Sequence, residues 1–512
     1  MENSKRALSL RMYYRPILCC IATLIWLCLV IFIASHHEMW RDEARVLSQV
    51  RQVSNPLDLY RVIEYDGHPI MWFLLVYFGS LFSNSPLVLP ITAILVSLIA
   101  VSVFMFKAPF QLWVKILFIF SALPLYEYTV MVRDYGLGIM LIFIIAAIYK
   151  DREKHPIILS LLLFILANVT VQTAIIAGFI MVMWILDQVL DGVKQKRFFT
   201  LKELYPFAIV TIGIIVCIIY TFPRDISIVT NIRGTFSLSG LWSAILDTFL
   251  NPQKTLPTLF PADIAEWVKA GMIFLLIVGL YKKPSALISA IGVLITFGVL
   301  FRLVYQSGYR HEGLFLIFII ALYWMTLLQP RININSKLLV LSVYLILPIF
   351  LLVSVNRAKN SVIADIKYER SASKSFCAYL SNSQEYYEAI LLPEPDYLLE
   401  SVPYYCNNDI YFIREHRFGT TVSWTTKANT QLSLAELLAE GKLLKAEYGK
   451  DVLIVLGHNN IDFTEDGSKD YSYNKNFSWT DKSYNEFLNS TKLLKFFDAN
   501  PSDEKYSVYL VE

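Results

Sequence analysis

Charge is what this chain has too little of. Of its 512 residues only 17% are Asp, Glu, Lys or Arg, against about a quarter in an ordinary soluble domain. With 56% hydrophobic residues, that deficit excludes a fold solvated by water alone and calls for lipid. A net charge of +3 and the lack of a long basic run exclude an electrostatic nucleic-acid partner. There is no low-complexity tract and no internal repeat, so no disordered tail or repeat array is expected. No HxxH or CxxC spacing points to zinc. Cysteine is scarce too. Cys19, Cys20, Cys28 and Cys217 lie in apolar blocks and read as small hydrophobes. Cys377 and Cys406 lie in polar sequence, where a disulfide and two free thiols both remain open.

The apolar residues gather in blocks long enough to cross a hydrocarbon core. The first covers 16–34 and follows Lys5, Arg6, Arg11 and Arg15. It is too long for a signal-peptide core and reads as an uncleaved span with the N-terminus in the cytoplasm. Further spans are expected at 86–106, 112–128, 133–149, 156–170, 172–190, 205–222, 268–281, 286–304, 311–329 and 337–355. The expectation is therefore an α-helical polytopic membrane protein of about eleven or twelve spans. The basic connectors 150–154, 194–197, 282–283 and 331–337 read as cytoplasmic loops. That places 35–68, 124–133, 223–265, 305–311 and everything after 356 outside. Residues 69–82 are apolar but short, which suits an interfacial or re-entrant piece; if they span instead, the count becomes twelve. After 356 the sequence turns polar. Ala389–Leu392 and Val452–Leu456 read as buried strands and Leu432–Ala446 as a helix, so 357–512 is expected to be a small extracytoplasmic α/β domain.

Two clusters in the first outer loop bear on chemistry. One is His36-His37-Glu38-Met39-Trp40-Arg41-Asp42-Glu43-Ala44-Arg45, the other Glu64-Tyr65-Asp66-Gly67-His68-Pro69. Adjacent acids at the mouth of a span are costly without partners, although a solvated loop would also carry them. The two clusters together resemble the GT-C membrane glycosyltransferases, which include protein O-mannosyltransferases and lipid A aminoarabinose transferases. The nearest likeness is to a bacterial branch with a Trp-Arg-Asp-Glu-Ala loop. Tyr126-Glu127-Tyr128, Val132-Arg133-Asp134-Tyr135-Gly136 and Tyr309-Arg310-His311-Glu312-Gly313 are similar to that branch's later signatures. The likeness covers residues 1–356; residues 357–512 contain nothing comparable.

The resemblance implies an inverting transfer of sugar from a polyprenyl-phosphate donor to a cell-envelope glycan, lipid or protein, on the outer face of the cytoplasmic membrane. It implies Asp42 as the base, with Glu43 as a second, supporting acid. Such a reaction needs one base for the acceptor hydroxyl and cations for the departing phosphate. His68, Arg133, Arg310 and His311 are the expected phosphate and lipid contacts, with Glu127, Trp40 and Tyr135 in acceptor or supporting roles. Bland readings stand beside these. Arg310 could snorkel at a helix end, Arg133 could pair with Asp134 or Glu127, and His68 could cap a helix. No cofactor is expected. A divalent cation held by acids of two outer loops, as in some relatives of this superfamily, is the less favoured option. The alternative function is a transporter or flippase of a lipid-linked sugar or small solute, for which mid-span charges and broken helices would be the sign.

Overall fold

The computed structural model describes residues 2–195, 204–222, 237–329, 336–457, 465–471, 475–500 and 502–512. The chain is 66% helical. Among the described residues six helices are long and apolar enough to cross a membrane: Tyr14–His36, Val88–Lys107, Val171–Gly192, Pro284–Leu303, Tyr309–Leu327 and Lys337–Lys367. Several shorter apolar helices pack among them. This is a helical, multi-pass membrane protein. Its long helices present Leu24, Ile25, Ile91, Leu95 and Ile288 outward, as a lipid solvent requires. By contrast, Tyr309–Leu327 is 83% buried and runs through the middle of the bundle.

Of three expected segments, the first keeps its short form and the other two differ. Residues 69–82 yield a helix of ten residues, Met71–Ser80, rising about 15 Å, half the thickness of a hydrocarbon core. Arg51 reaches the carbonyl of Asn84 just beyond it, and Tyr77 donates to the carbonyl of Ser54 at 2.7 Å. The chain thus returns to the end it left, as a re-entrant piece does. The segment 112–128 is broken into Leu112–Ile119 and a π-turn, Leu123–Glu127, with Pro124 inside it; proline leaves a carbonyl without its helical donor. Residues 223–265 are more than a loop. Residues 223–236 lie outside the described residues, but Leu238–Leu250 forms a helix whose Asp247 pairs with Arg302.

The polar region begins later than its composition indicates, because Leu347–Lys367 runs unbroken past 356. Beyond it, Ile390–Glu394 pairs in parallel with Val452–Gly457, which pairs antiparallel with Tyr506–Val511, itself antiparallel to Thr491–Phe497. Both strands expected from apolar runs therefore lie side by side in this four-stranded sheet. A second sheet joins Gln431–Ser433, Lys475–Trp479 and Gly467–Tyr471. The helix Leu434–Tyr448 starts on the Ser433/Glu436 capping box and stops at Gly449, φ +64°. Cys377 and Cys406 form a disulfide. Arg414 and Glu394 form a fully buried pair at 2.5 Å, its donors completed by main-chain carbonyls of Asn429, Thr430 and Asn476.

Candidate active site

The site starts where the first span ends. His37 to Met39 leave the helix, and a new one, Arg41–Val50, begins at once. The third residue of that helix, Glu43, accepts a hydrogen bond from the Trp40 amide at 3.3 Å and one from the Val132 amide at 2.6 Å. The His37 imidazole adds a contact at 3.0 Å, and Glu43 has no exposed surface. Asp42, the neighbouring residue, lies in the same first turn, where free amides favour negative charge. Its side chain is 44% exposed and lies 2.8 Å from Arg133 Nη1. That contrast separates the adjacent acids. Asp42 is open to the cavity, and Glu43 is buried and fixes the turn.

Partial desolvation in the cavity mouth would raise the Asp42 carboxyl, but the guanidinium groups of Arg133, Arg41 and Arg310 outweigh it and hold the group below the usual carboxylate range. Arg133 also donates to the Asp42 main-chain carbonyl at 3.2 Å. Its expected alternatives, Asp134 and Glu127, are not the partners it takes. Glu127 faces Arg310 instead, at 4.0 Å, and Arg310 lies 5.9 Å above the Trp40 ring.

Asp42 opens into a cavity of about 330 Å³. From the helical part it is lined by Trp40, Arg41, Arg45, Gln49, Asp66, His68, Trp72, Arg133 and Asp134. Gly67, at φ +67°, makes the turn that presents His68. Burial first, and then Arg133, lower the His68 pKa, so the ring is neutral and offers one donor and one acceptor. Asp134 Oδ1, Gln49 Oε1, Trp40 Nε1 and Trp72 Nε1 are buried polar atoms with no protein partner, and all four residues line this cavity. Buried polar atoms are nearly always paired, so this concentration marks a surface built for a polar ligand.

The remaining wall comes from the C-terminal domain: Tyr397, Glu400, Trp424 and Asp503. Arg41 donates to Asp503 at 2.6 and 3.1 Å, and its amide reaches Glu504 at 2.7 Å. Arg45 bridges Asp66, at 2.7 Å, to Glu400. Trp424 has φ +48°, a left-handed conformation that costs a bulky residue on the order of 1–3 kcal/mol and clusters at functional sites. Beneath the cavity, His37 is clamped between Glu43 and Asp365, the latter at 2.7 Å. Asp365 also accepts from Tyr126 and Arg370. Burial opposes the charged ring, but the two carboxylates prevail and push its pKa up to about 9.

Not every expected residue reaches the cavity. His311 accepts from the Gly308 amide at 2.9 Å and caps its own helix, its ring between Tyr135 and Tyr305. Tyr135 packs against Tyr128, 5.6 Å between ring centres. Neither His311 nor Tyr135 lines the cavity, and the same holds for Arg310 and Glu127. Gly136 is required after Tyr135 because a Cβ would meet the Tyr128 carbonyl at 2.5 Å. Sequence reasoning missed Arg41, Arg45, Asp365, Tyr397, Glu400, Trp424 and Asp503. Arg41 and Arg45 stood in the quoted loop, and their cationic charge beside two acids was the available signal. Among the described residues no three His, Cys, Asp or Glu side chains converge as a metal site. Fold and site together define a helical membrane protein with a carboxylate–guanidinium cavity at one end of the bundle, roofed by its own C-terminal domain. No family model and no curated protein sequence matches the chain.

Proposed function

We propose that the chain is an inverting glycosyltransferase that takes a sugar from a polyprenyl-phosphate donor. The acceptor is a cell-envelope glycan, lipid or protein. The observation that carries this reading is the half-exposed Asp42 held against Arg133 at the mouth of a cavity rich in unpartnered polar atoms. In the reaction the acceptor oxygen forms a bond to the anomeric carbon as the bond to the phosphate oxygen breaks. The acceptor proton passes to Asp42, and the electron pair leaves on the lipid phosphate. Arg133, with Arg310 behind it, is suited to that phosphate because guanidinium donors match its oxygens. A base held low by a cation is a weak one. Once a phosphate draws Arg133 away, Asp42 regains basicity where it is needed. His68, Asp134 and Trp72 supply donors and acceptors for sugar hydroxyls.

In this reading the cavity end faces outward from the cytoplasmic membrane and the N-terminus lies inside. The test is release of lipid phosphate from a panel of polyprenyl-phosphate sugars by purified protein in lipid. Wild type releases it and Asp42→Asn does not; equal rates in both would remove Asp42 from the mechanism.

A further inference from the structure

A second cavity, of about 320 Å³, lies at the opposite end of the bundle and is lined by Arg15, Pro16, Cys19, Met105, Phe106, Ala108, Pro109 and Lys115. Arg15 and His37 stand at opposite ends of one span, about 33 Å apart at 1.5 Å per residue, so this cavity is remote from Asp42. Lys115 is 2% exposed. Its ammonium group donates to the Met105 carbonyl at 2.8 Å, and Arg15 donates to the Phe110 carbonyl at 2.8 Å. Among the described residues neither cation has a carboxylate partner within ion-pair distance. A buried ammonium without a counter-charge is expensive, and these two leave most of their donors unused.

We propose that this cavity binds the phosphate of an anionic membrane lipid, held jointly by Arg15 and Lys115. The walls decide between a lipid and a soluble anion. Apart from the two cations they are apolar, and Phe106, Ile17, Leu18 and Ile21 beside them are exposed as lipid-facing residues are. Tyr14 and Trp113 are also exposed here, and amphipathic rings of this kind sit at headgroup level. A headgroup phosphate can enter from the side while its acyl chains lie against that apolar face. The inference does not depend on the proposed reaction, and its test does not involve sugar transfer.

The experiment is native mass spectrometry of the full chain released from mixed vesicles of phosphatidylglycerol and phosphatidylcholine with matched acyl chains. Wild type should retain phosphatidylglycerol preferentially. Arg15→Gln and Lys115→Gln should each lower that preference about tenfold, as loss of one charge-assisted contact implies, while Lys115→Arg should keep it. Arg15 is exposed, so its variant reports binding even where the Lys115 variant folds poorly. Equal retention of the two lipids by wild type, or unchanged preference in Arg15→Gln, would overturn the proposal. Displacement of the lipid by millimolar inorganic phosphate would overturn its lipid part.

Discussion

Two clusters of buried charge sit at opposite ends of this bundle, and they are built differently. At the end away from Asp42, Asp187 accepts from Tyr149 at 3.0 Å and Ser285 at 2.5 Å, and pairs with Lys283 at 3.2 Å and Arg152 at 3.4 Å. Its carboxylate is enclosed by partners that tie three helices together. At the other end Asp42 has one close partner, nearly half its side chain exposed, and a cavity in front of it. A buried charge on its own therefore says little. A carboxylate enclosed by donors is a fastener, whereas one left partly open on a cavity wall is accessible to a ligand.

The sharpest way to break that contrast is to neutralise both acids. Asp42→Asn should lower transfer about a thousandfold, as loss of a general base does, with little change in thermal stability. Asp187→Asn should do the reverse, costing on the order of 3 kcal/mol for an unbalanced buried cluster while leaving activity per folded molecule nearly intact. Unfolding curves and initial rates on the same preparations check both. A stable Asp187→Asn protein with a collapsed rate would erase the distinction.

Arg133 comes next. Arg133→Gln should cost about a hundredfold in rate, the usual scale for one lost donor to a developing oxyanion. Arg133→Lys should recover part of it, because a point charge remains where a planar fork is lost. The diagnostic is the pH–rate profile. Without the cation Asp42 loses what depresses its pKa, so the acidic limb of the profile should move to higher pH. An unmoved limb would detach Arg133 from the base.

How much of this was legible in the sequence follows from the range of the interactions. Acids and cations at the ends of apolar runs drew attention to the loops that hold Asp42, His68 and Arg133, and the resemblance of their motifs singled those residues out. The strands Ile390–Glu394 and Val452–Gly457 announced themselves as short apolar runs. The roof could not be read. Arg45 meets Glu400 across 355 residues, and no local period encodes such a pairing. The enclosure of Glu43 was equally out of reach. Its capping role is local, but its burial depends on Val132 and His37 closing over it. Likewise Asp365 reads as an ordinary helix-end acid until His37 is seen 2.7 Å away.

That Glu43–His37–Asp365 clamp yields a smaller, pH-dependent effect. Its imidazole pKa is raised from about 6.5 to about 9, so the protonated ring stabilises the fold. That contribution is complete below about pH 6.5 and is lost as pH rises through about 9, amounting to on the order of 3 kcal/mol. Thermal unfolding of wild type between pH 6 and 10 should therefore show a decline that His37→Gln flattens. Parallel curves for the two proteins would show the ring to be neutral throughout.

The smallest expected effect concerns Trp424, and it asks whether the C-terminal roof only covers the cavity or also reads what enters it. Trp424 stacks on Tyr397, ring centres 5.9 Å apart, and faces the Arg45 guanidinium at 5.6 Å. Its left-handed backbone carries a cost that the rest of the structure must offset. Trp424→Ala should raise the acceptor KM about threefold to tenfold, the scale of one lost aromatic contact, with kcat nearly unchanged. Trp424→Gly should raise KM by the same factor while unfolding at a higher temperature than the alanine variant, because glycine adopts φ +48° without strain. If both variants lose kcat and leave KM alone, the roof works through the geometry of Asp42 and does not contact the acceptor. If neither parameter moves, the strained tryptophan belongs to the folding of the domain, and the roof is a lid of no selectivity.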